Sequence, residues 1–332
     1  MSSSPGPEGR GGLWPYVQIA RPDHWFKNAF MLLGILLAFF YVPELVSIKS
    51  LPRLGLAVVA TCLIASSNYV LNELLDGPTD RLHPLKKHRP VPSGRVRPAL
   101  AYLEWFLLAF AGIGLAAWVN LYFAAAGLTL WVCGIAYNAP PVRTKDWPYV
   151  DVLSESVNNP IRLLLGWFAL IADRLPPVSL ILSYWMIGAF FMATKRFAEY
   201  RHIGDRDVAA GYRRSFRHYT EERLLVSILF YATTCALFAG IFIVRYRVEL
   251  ILFVPFCAGL FAYYLLLGFQ PNSPAQSPEK LYRERGFLAY MILCTVVFVA
   301  LMFTHIPALY DFFNVEPSKV DPLWTLGCSA RP

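Results

Sequence analysis

Apolar residues gather into long blocks separated by short polar stretches. Nine blocks lie at approximately 26–46, 54–75, 99–118, 121–137, 150–171, 178–194, 224–244, 250–268 and 287–306. A helix crosses the hydrocarbon core of a bilayer with about 20 mostly apolar residues. The pattern therefore predicts an all-α, polytopic integral membrane protein with nine transmembrane helices. Residues 13–310 then form one membrane domain. The Gly/Ser/Pro-rich residues 1–12 have no apolar core of a signal peptide and read as a disordered tail. Residues 311–332 read as a short C-terminal tail.

Composition narrows the class. Of 332 residues, 56% are hydrophobic and 16% charged, against roughly 25% charged in soluble chains. A soluble enzyme, a disordered chain and a disulfide-stapled scaffold are all disfavoured. The six cysteines (62, 133, 235, 257, 294, 328) contain no CxxC pair, and five fall in apolar blocks. They read as small buried hydrophobes.

The net charge of +8 reads as topology rather than as a nucleic-acid surface, and no nucleic-acid partner is expected. Basic residues crowd alternate loops: Arg81 to Arg97, Arg143 and Lys145, Lys195 to Arg223, and Lys280 to Arg285. The intervening loops are nearly bare. The positive-inside rule places the basic loops and the N-terminus in the cytoplasm. Nine spans then put the C-terminus outside, with the cell inner membrane as the expected location.

Polar residues inside the apolar blocks mark the chemistry. At the end of the second block stand Asn72, Glu73, Asp76 and Asp80. Asn72 and Asp76 are spaced i, i+4 and share a helix face. Gly77-Pro78 is expected to bend or end the helix there, aiming Asp80 from a different backbone direction. Clustered carboxylates at a membrane helix end are costly unless a cation neutralises them. Oxygen donors suit Mg²⁺, which substrate phosphates usually complete. Lys86 and Arg89 follow at once, so the set reads as a diphosphate clamp.

A second set follows the fourth block. Arg143 and Lys145 lie in the loop, then Asp151, Glu155, Asn158, Asn159 and Arg162 recur along the fifth block. Their offsets trace one helical stripe, which must face the bundle interior or a wet cavity. Pro160 is expected to kink this helix. Asp151 and Arg162 read either as functional groups or as partners that hold the bundle together. A third set, Lys195, Arg196 and Glu199 followed by Arg213, Arg214, Tyr219 and Thr220, reads equally as a topology anchor or as an anion site. Thr220 is placed to cap the helix after it.

These motifs resemble the UbiA superfamily of intramembrane prenyl-chain transferases, a nine-helix bundle with two acidic motifs. The first family motif is matched by Asn72-Glu73…Asp76…Asp80, with Glu in place of one Asp, and the second by Asp151…Glu155. The branch acting on polyprenyl phosphate and phosphoribosyl diphosphate is similar in finer detail. Its R-P-x-x-W-x-K-N stretch is matched at Arg21–Asn28, its H-P-x-K-x-x-R-P stretch at His83–Pro90, and its K-R-x-A-E run at Lys195–Glu199.

The resemblance implies a Mg²⁺-dependent membrane transferase joining a phosphoribosyl group to a polyprenyl phosphate. Asn72, Glu73, Asp76 and Asp80 would hold the metal, and Asp76, Asp80, Asp151 and Glu155 would be catalytic. Lys27, Asn72, Lys86, Arg89, Arg143, Lys145, Asn159, Arg162, Lys195 and Arg196 would contact substrate. A second reading keeps the fold and ionises a polyprenyl diphosphate for capture by an aromatic or other acceptor. A third is a non-enzymatic lipid-binding or transport protein. Membrane lipids surround the chain in every case.

Overall fold

The computed structural model describes residues 12–81, 86–276, 281, 283–316 and 323–326. His83, Pro84 and Leu85 of the first motif, Cys328, and all of the expected N-terminal tail except Gly12 lie outside the described residues. Among the described residues the chain is helical, with only an isolated bridge between Arg174 and Thr325.

Thirteen α-helices follow in order: α1 (Trp14–Ala20), α2 (Leu32–Tyr41), α3 (Leu51–Asp80), α4 (Pro98–Val119), α5 (Leu121–Asn138), α6 (Val150–Ser156), α7 (Asn158–Phe168), α8 (Val178–Ile203), α9 (Arg206–Tyr212), α10 (Glu221–Tyr246), α11 (Val254–Phe269), α12 (Arg285–Phe303) and α13 (Pro307–Phe313). The sequence marks several of their ends. Proline sits in the first turn of α1, α3, α4, α11 and α13, where its missing N–H costs nothing. Asn120, Asp205 and Thr220 cap α5, α9 and α10 with side-chain oxygens. Gly204, at φ +69°, closes α8, a conformation that glycine adopts without a Cβ penalty.

Eight helical stretches among the described residues are long and apolar enough to cross a membrane. The large apolar side chains they leave exposed, such as Phe106, Phe110, Trp118, Leu229, Phe230 and Val296, suit lipid as solvent. Three expectations change in detail. The first span starts at Trp14 rather than near residue 26, because Pro22–Met31 forms a 3₁₀ helix that joins α1 to α2. Gly77-Pro78 does not end α3, which runs through to Asp80. Pro78 forfeits one backbone bond near the C-terminus, and the Arg81 N–H still reaches the Gly77 carbonyl at 3.2 Å. The fifth block is two helices, α6 and α7, and does not add a ninth continuous span. The Pro160 ring clashes with the carbonyl four residues earlier, that of Ser156, which is where α6 ends.

The chain divides into two compact units. The first holds residues 1–39, 44–143 and 161–172, and the second residues 40–43, 144–160 and 173–332. In the first unit α3 packs along α4 and α5. A small core of Ile19, Val70, Leu74, Val96 and Ala101 ties α1 to α3. Gly34 of α2 lies against the Leu163 carbonyl, and Gly166 of α7 against the Met31 carbonyl, with no room for a Cβ at either. Such small residues let membrane helices cross with backbones in contact. In the second unit α8 packs along α10, α6 and α11, around Phe190, Phe197, Phe216, Tyr219, Tyr264 and Phe287.

Candidate functional site

In the first unit, α3 carries Asn72, Asp76 and Asp80 at i, i+4 and i+8 on one continuous helix face. The helical rise separates neighbours in this row by about 6 Å along the axis. Asp76 accepts from Arg143 Nη2 at 3.0 Å. Arg143 is itself held by its own region, donating Nη1 to the Asn138 carbonyl at 3.1 Å. Asp80 is buried and accepts from Arg89 Nη1 at 2.9 Å, with Lys86 Nζ at 3.8 Å.

Glu73 does something else. It is buried, and its carboxylate accepts the backbone N–H of Val91 at 3.1 Å. It thereby fixes the connection that carries Lys86 and Arg89. That contact is where the structure places this residue of the sequence-expected metal set.

Asp76 and Asp80 thus meet the cations Arg143, Arg89 and Lys86. Carboxylates and cations offset one another here. A bare diphosphate would leave it strongly negative, whereas a diphosphate carrying a divalent cation would not. Among the described residues no three His, Cys, Asp or Glu side chains gather as a metal cage. Mg²⁺ characteristically takes one or two carboxylates and completes its shell with substrate phosphates and water. The oxygen-only donors Asn72, Asp76 and Asp80 suit it.

Also in the first unit, the 3₁₀ helix that carries the Trp25…Lys27-Asn28 stretch docks on α3. Trp25 Nε1 donates to Ser66 Oγ at 2.9 Å and Asn28 Nδ2 to Cys62 Sγ at 3.1 Å. The buried Arg162 donates Nε to Asn28 Oδ1 at 3.0 Å. Lys27 is half-buried on the same short helix.

The second unit holds a different cluster. Asp151 is 0% exposed. Its Oδ1 accepts from Tyr219 OH at 2.7 Å. Its Oδ2 accepts from Ser215 Oγ at 3.2 Å and Arg196 Nε at 3.3 Å, and pairs with Arg213 Nε at 3.4 Å. Arg196, 1% exposed, also donates Nη2 to Glu155 at 2.5 Å and Nη1 to Glu199 at 3.2 Å. Lys195 stands 4.0 Å from Glu199. The Tyr219 hydroxyl is pushed well above its ordinary range by burial first and by the Asp151 charge second, so it stays a proton donor.

The stripe expected along the fifth block is divided at Pro160. Asp151, Glu155, Asn158 and Asn159 belong to the second unit and Arg162 to the first. Asn159 lies against Gly188 of α8. Lys145 is buried in the short turn Thr144–Asp146, which Thr144 ties to α6 through Ser154 at 2.9 Å. Sequence reasoning missed Ser215 as a partner of Asp151 and Asn28 as the partner of Arg162. Asn28 had a signal, the polar residue ending the Trp25-Phe26-Lys27-Asn28 run. Ser215, one serine in an Arg-rich stretch, had none.

Comparison with known proteins fits this arrangement. The family model described as "UbiA prenyltransferase family" matches residues 28–283. The decaprenyl-phosphate phosphoribosyltransferase of Mycolicibacterium smegmatis is 29% identical over 63% of this chain. That match spans 63% of the relative's length, under two thirds. The enzyme of the same description from Mycobacterium tuberculosis is 29% identical over 68% of this chain and 72% of its own. A solved structure of a UbiA homologue from Archaeoglobus fulgidus bound to GPP and Mg²⁺ superposes with a TM-score of 0.63 at 20% identity. It covers 90% of this chain and 99% of that one.

Proposed function

The chain belongs to the UbiA prenyltransferase family, and from that premise we propose that it is a Mg²⁺-dependent membrane transferase moving a 5-phosphoribosyl group from phosphoribosyl diphosphate to a polyprenyl phosphate. The observation that carries a diphosphate clamp is the pairing of Asp76 with Arg143 and of Asp80 with Arg89 and Lys86. Each pair is a carboxylate for a metal beside a guanidinium for phosphate. The choice of donor is supported by the mycobacterial relatives, whose descriptions name a phosphoribosyltransferase acting on decaprenyl phosphate.

Neighbouring members of the Asn72, Asp76 and Asp80 row would hold Mg²⁺, which when bound offsets the charge of the departing diphosphate. Arg143, Arg89 and Lys86 exchange carboxylate oxygens for phosphate oxygens as the donor arrives, and planar guanidinium forks suit that exchange. Displacement breaks the bond from ribose C1 to the diphosphate oxygen and forms one to the lipid phosphate oxygen, with inversion at C1. The lipid phosphate is already an anion and needs no strong base. In the second unit, Glu155, Lys195 and Arg213 keep exposed side-chain surface and are assigned to substrate. The Lys/Arg bias of the loops supports a cytoplasmic orientation of the 81–97 and 195–223 connections in the inner membrane.

A second reading is prenyl transfer from a prenyl diphosphate to another acceptor. It is favoured by the likeness to a homologue solved with GPP and Mg²⁺. One experiment separates the two. Purified protein with Mg²⁺ is given labelled phosphoribosyl diphosphate plus polyprenyl phosphate, and separately a prenyl diphosphate plus aromatic acceptors. Labelled lipid from the first pair alone is expected. Product from the second pair alone overturns the phosphoribosyl reading.

A further inference from the structure

The buried carboxylate of Asp151 is engaged on both oxygens, by Tyr219 at Oδ1 and by Ser215 and Arg196 at Oδ2. Tyr219, Ser215, Arg196 and Arg213 surround both of its oxygens. Three of those four side chains come from one stretch, the connection 213–219 between α9 and α10. A carboxylate enclosed in this way acts as a fastening point. The same stretch carries Arg213, Arg214 and Arg217, three cations suited to phosphate.

Tyr219 makes the fastening double. Its hydroxyl donates to Asp151 Oδ1 and accepts the backbone N–H of Tyr149 at 2.5 Å. Tyr149 precedes α6 and sits at φ +65°, a region that bulky side chains rarely occupy and that surrounding contacts must hold. The Tyr149 and Tyr219 rings also meet edge to face at 5.3 Å. A weaker second attachment, Arg214 to Asp146 at 3.3 Å, is largely exposed on the arginine side. Exposed pairs contribute little. The Tyr219–Asp151 bond, shielded from water, is the stronger one.

We infer that Asp151 anchors the 213–219 connection to the start of α6, and that Tyr219 is a positioning residue that acts through Asp151 to place Arg213 and the Arg196–Glu155 pair. The Arg196 fork is planar and touches Asp151, Glu155 and Glu199 at once. A shift at Asp151 therefore moves Glu155. The anchoring half stands on geometry alone, and the positioning half rests on the phosphoribosyl reading.

The test uses the full chain in lipid nanodiscs, with Tyr219→Phe, Ser215→Ala and, as a control, Glu221→Gln. The control breaks the nearby Arg201–Glu221 pair without touching Asp151. Limited trypsin digestion is followed at Arg213, Arg214 and Arg217. Tyr219→Phe is expected to speed cleavage there by about 10- to 100-fold, the scale of one hydrogen bond to a charged group. Ser215→Ala should act in the same direction and Glu221→Gln should match wild type. Under the transfer assay, Tyr219→Phe should raise KM for phosphoribosyl diphosphate about tenfold while kcat stays within about threefold, a split that general loss of folded protein does not produce. Unchanged cleavage in Tyr219→Phe overturns the anchor. Faster cleavage with unchanged KM overturns the positioning role. A wild-type protein with no turnover on this substrate pair counts against the phosphoribosyl reading, and the cleavage rates then decide the anchor by themselves.

Discussion

The two acidic clusters use the same residue types in opposite ways. On α3, Asp76 and Asp80 face separate cations, and the Asp76–Arg143 pair keeps part of each side chain in solvent. Around α6, Asp151 and Arg196 are almost wholly enclosed, and each meets several partners. A pair with few partners and some solvent contact, such as Asp76 with Arg143, gives up its partner at lower cost, because ion pairs contribute less as they near solvent. A buried, many-to-one set does not, because removing one member strands charges away from water. The first arrangement suits exchange with an incoming anion, and the second suits holding a shape. Motif letters alone make the two look alike.

The largest expected effect breaks the second cluster. Arg196→Ala leaves Asp151, Glu155 and Glu199 without their shared cation and should destabilise the protein by about 3–5 kcal/mol. Thermal unfolding in detergent should show a clear loss, and an unshifted transition would place this arginine outside the load of the fold. Asp76→Asn should do the reverse. Its stability cost should stay below about 1 kcal/mol, while transfer activity falls at least a hundredfold, read as product formed per minute by protein of wild-type thermal stability.

Lys195→Ala sits between them. Its Glu199 contact is long, at 4.0 Å, so its loss should leave stability almost unchanged. If it grips a phosphate, affinity for one substrate should drop by about 10- to 100-fold, measured as KM for donor and acceptor in turn. The smallest change is expected for Glu73→Gln. Glutamine still offers an oxygen to the Val91 N–H, so both stability and turnover should stay within severalfold of wild type. A loss as deep as that of Asp76→Asn would place Glu73 among the metal ligands.

Much of this was legible in the chain. The apolar blocks gave the membrane class, and the i, i+4 spacing of Asn72 and Asp76 gave the shared face. Thr220 caps α10 as its position suggested. What was not legible depends on distance along the chain. Asp151 meets Ser215 and Tyr219 across 64 and 68 positions, and Arg196 meets Asp151 and Glu155 across 45 and 41. A cation beside a membrane helix reads as an anion site until those partners are known. The first span began early because the charged Arg21, Asp23 and Lys27 hide a 3₁₀ helix. The Gly77-Pro78 pair misled because proline near a helix end removes only one bond, and the Arg81 N–H bond carries the turn onward.

The central claim is that the α3 cluster takes a diphosphate and a divalent cation only together. Equilibrium binding of labelled phosphoribosyl diphosphate to purified protein, titrated with Mg²⁺, tests it most directly. Binding should be absent without Mg²⁺, saturate as Mg²⁺ is added, and be lost in Asp76→Asn at every Mg²⁺ concentration. Equal binding with and without the metal, or binding by Asp76→Asn that matches wild type, would contradict it.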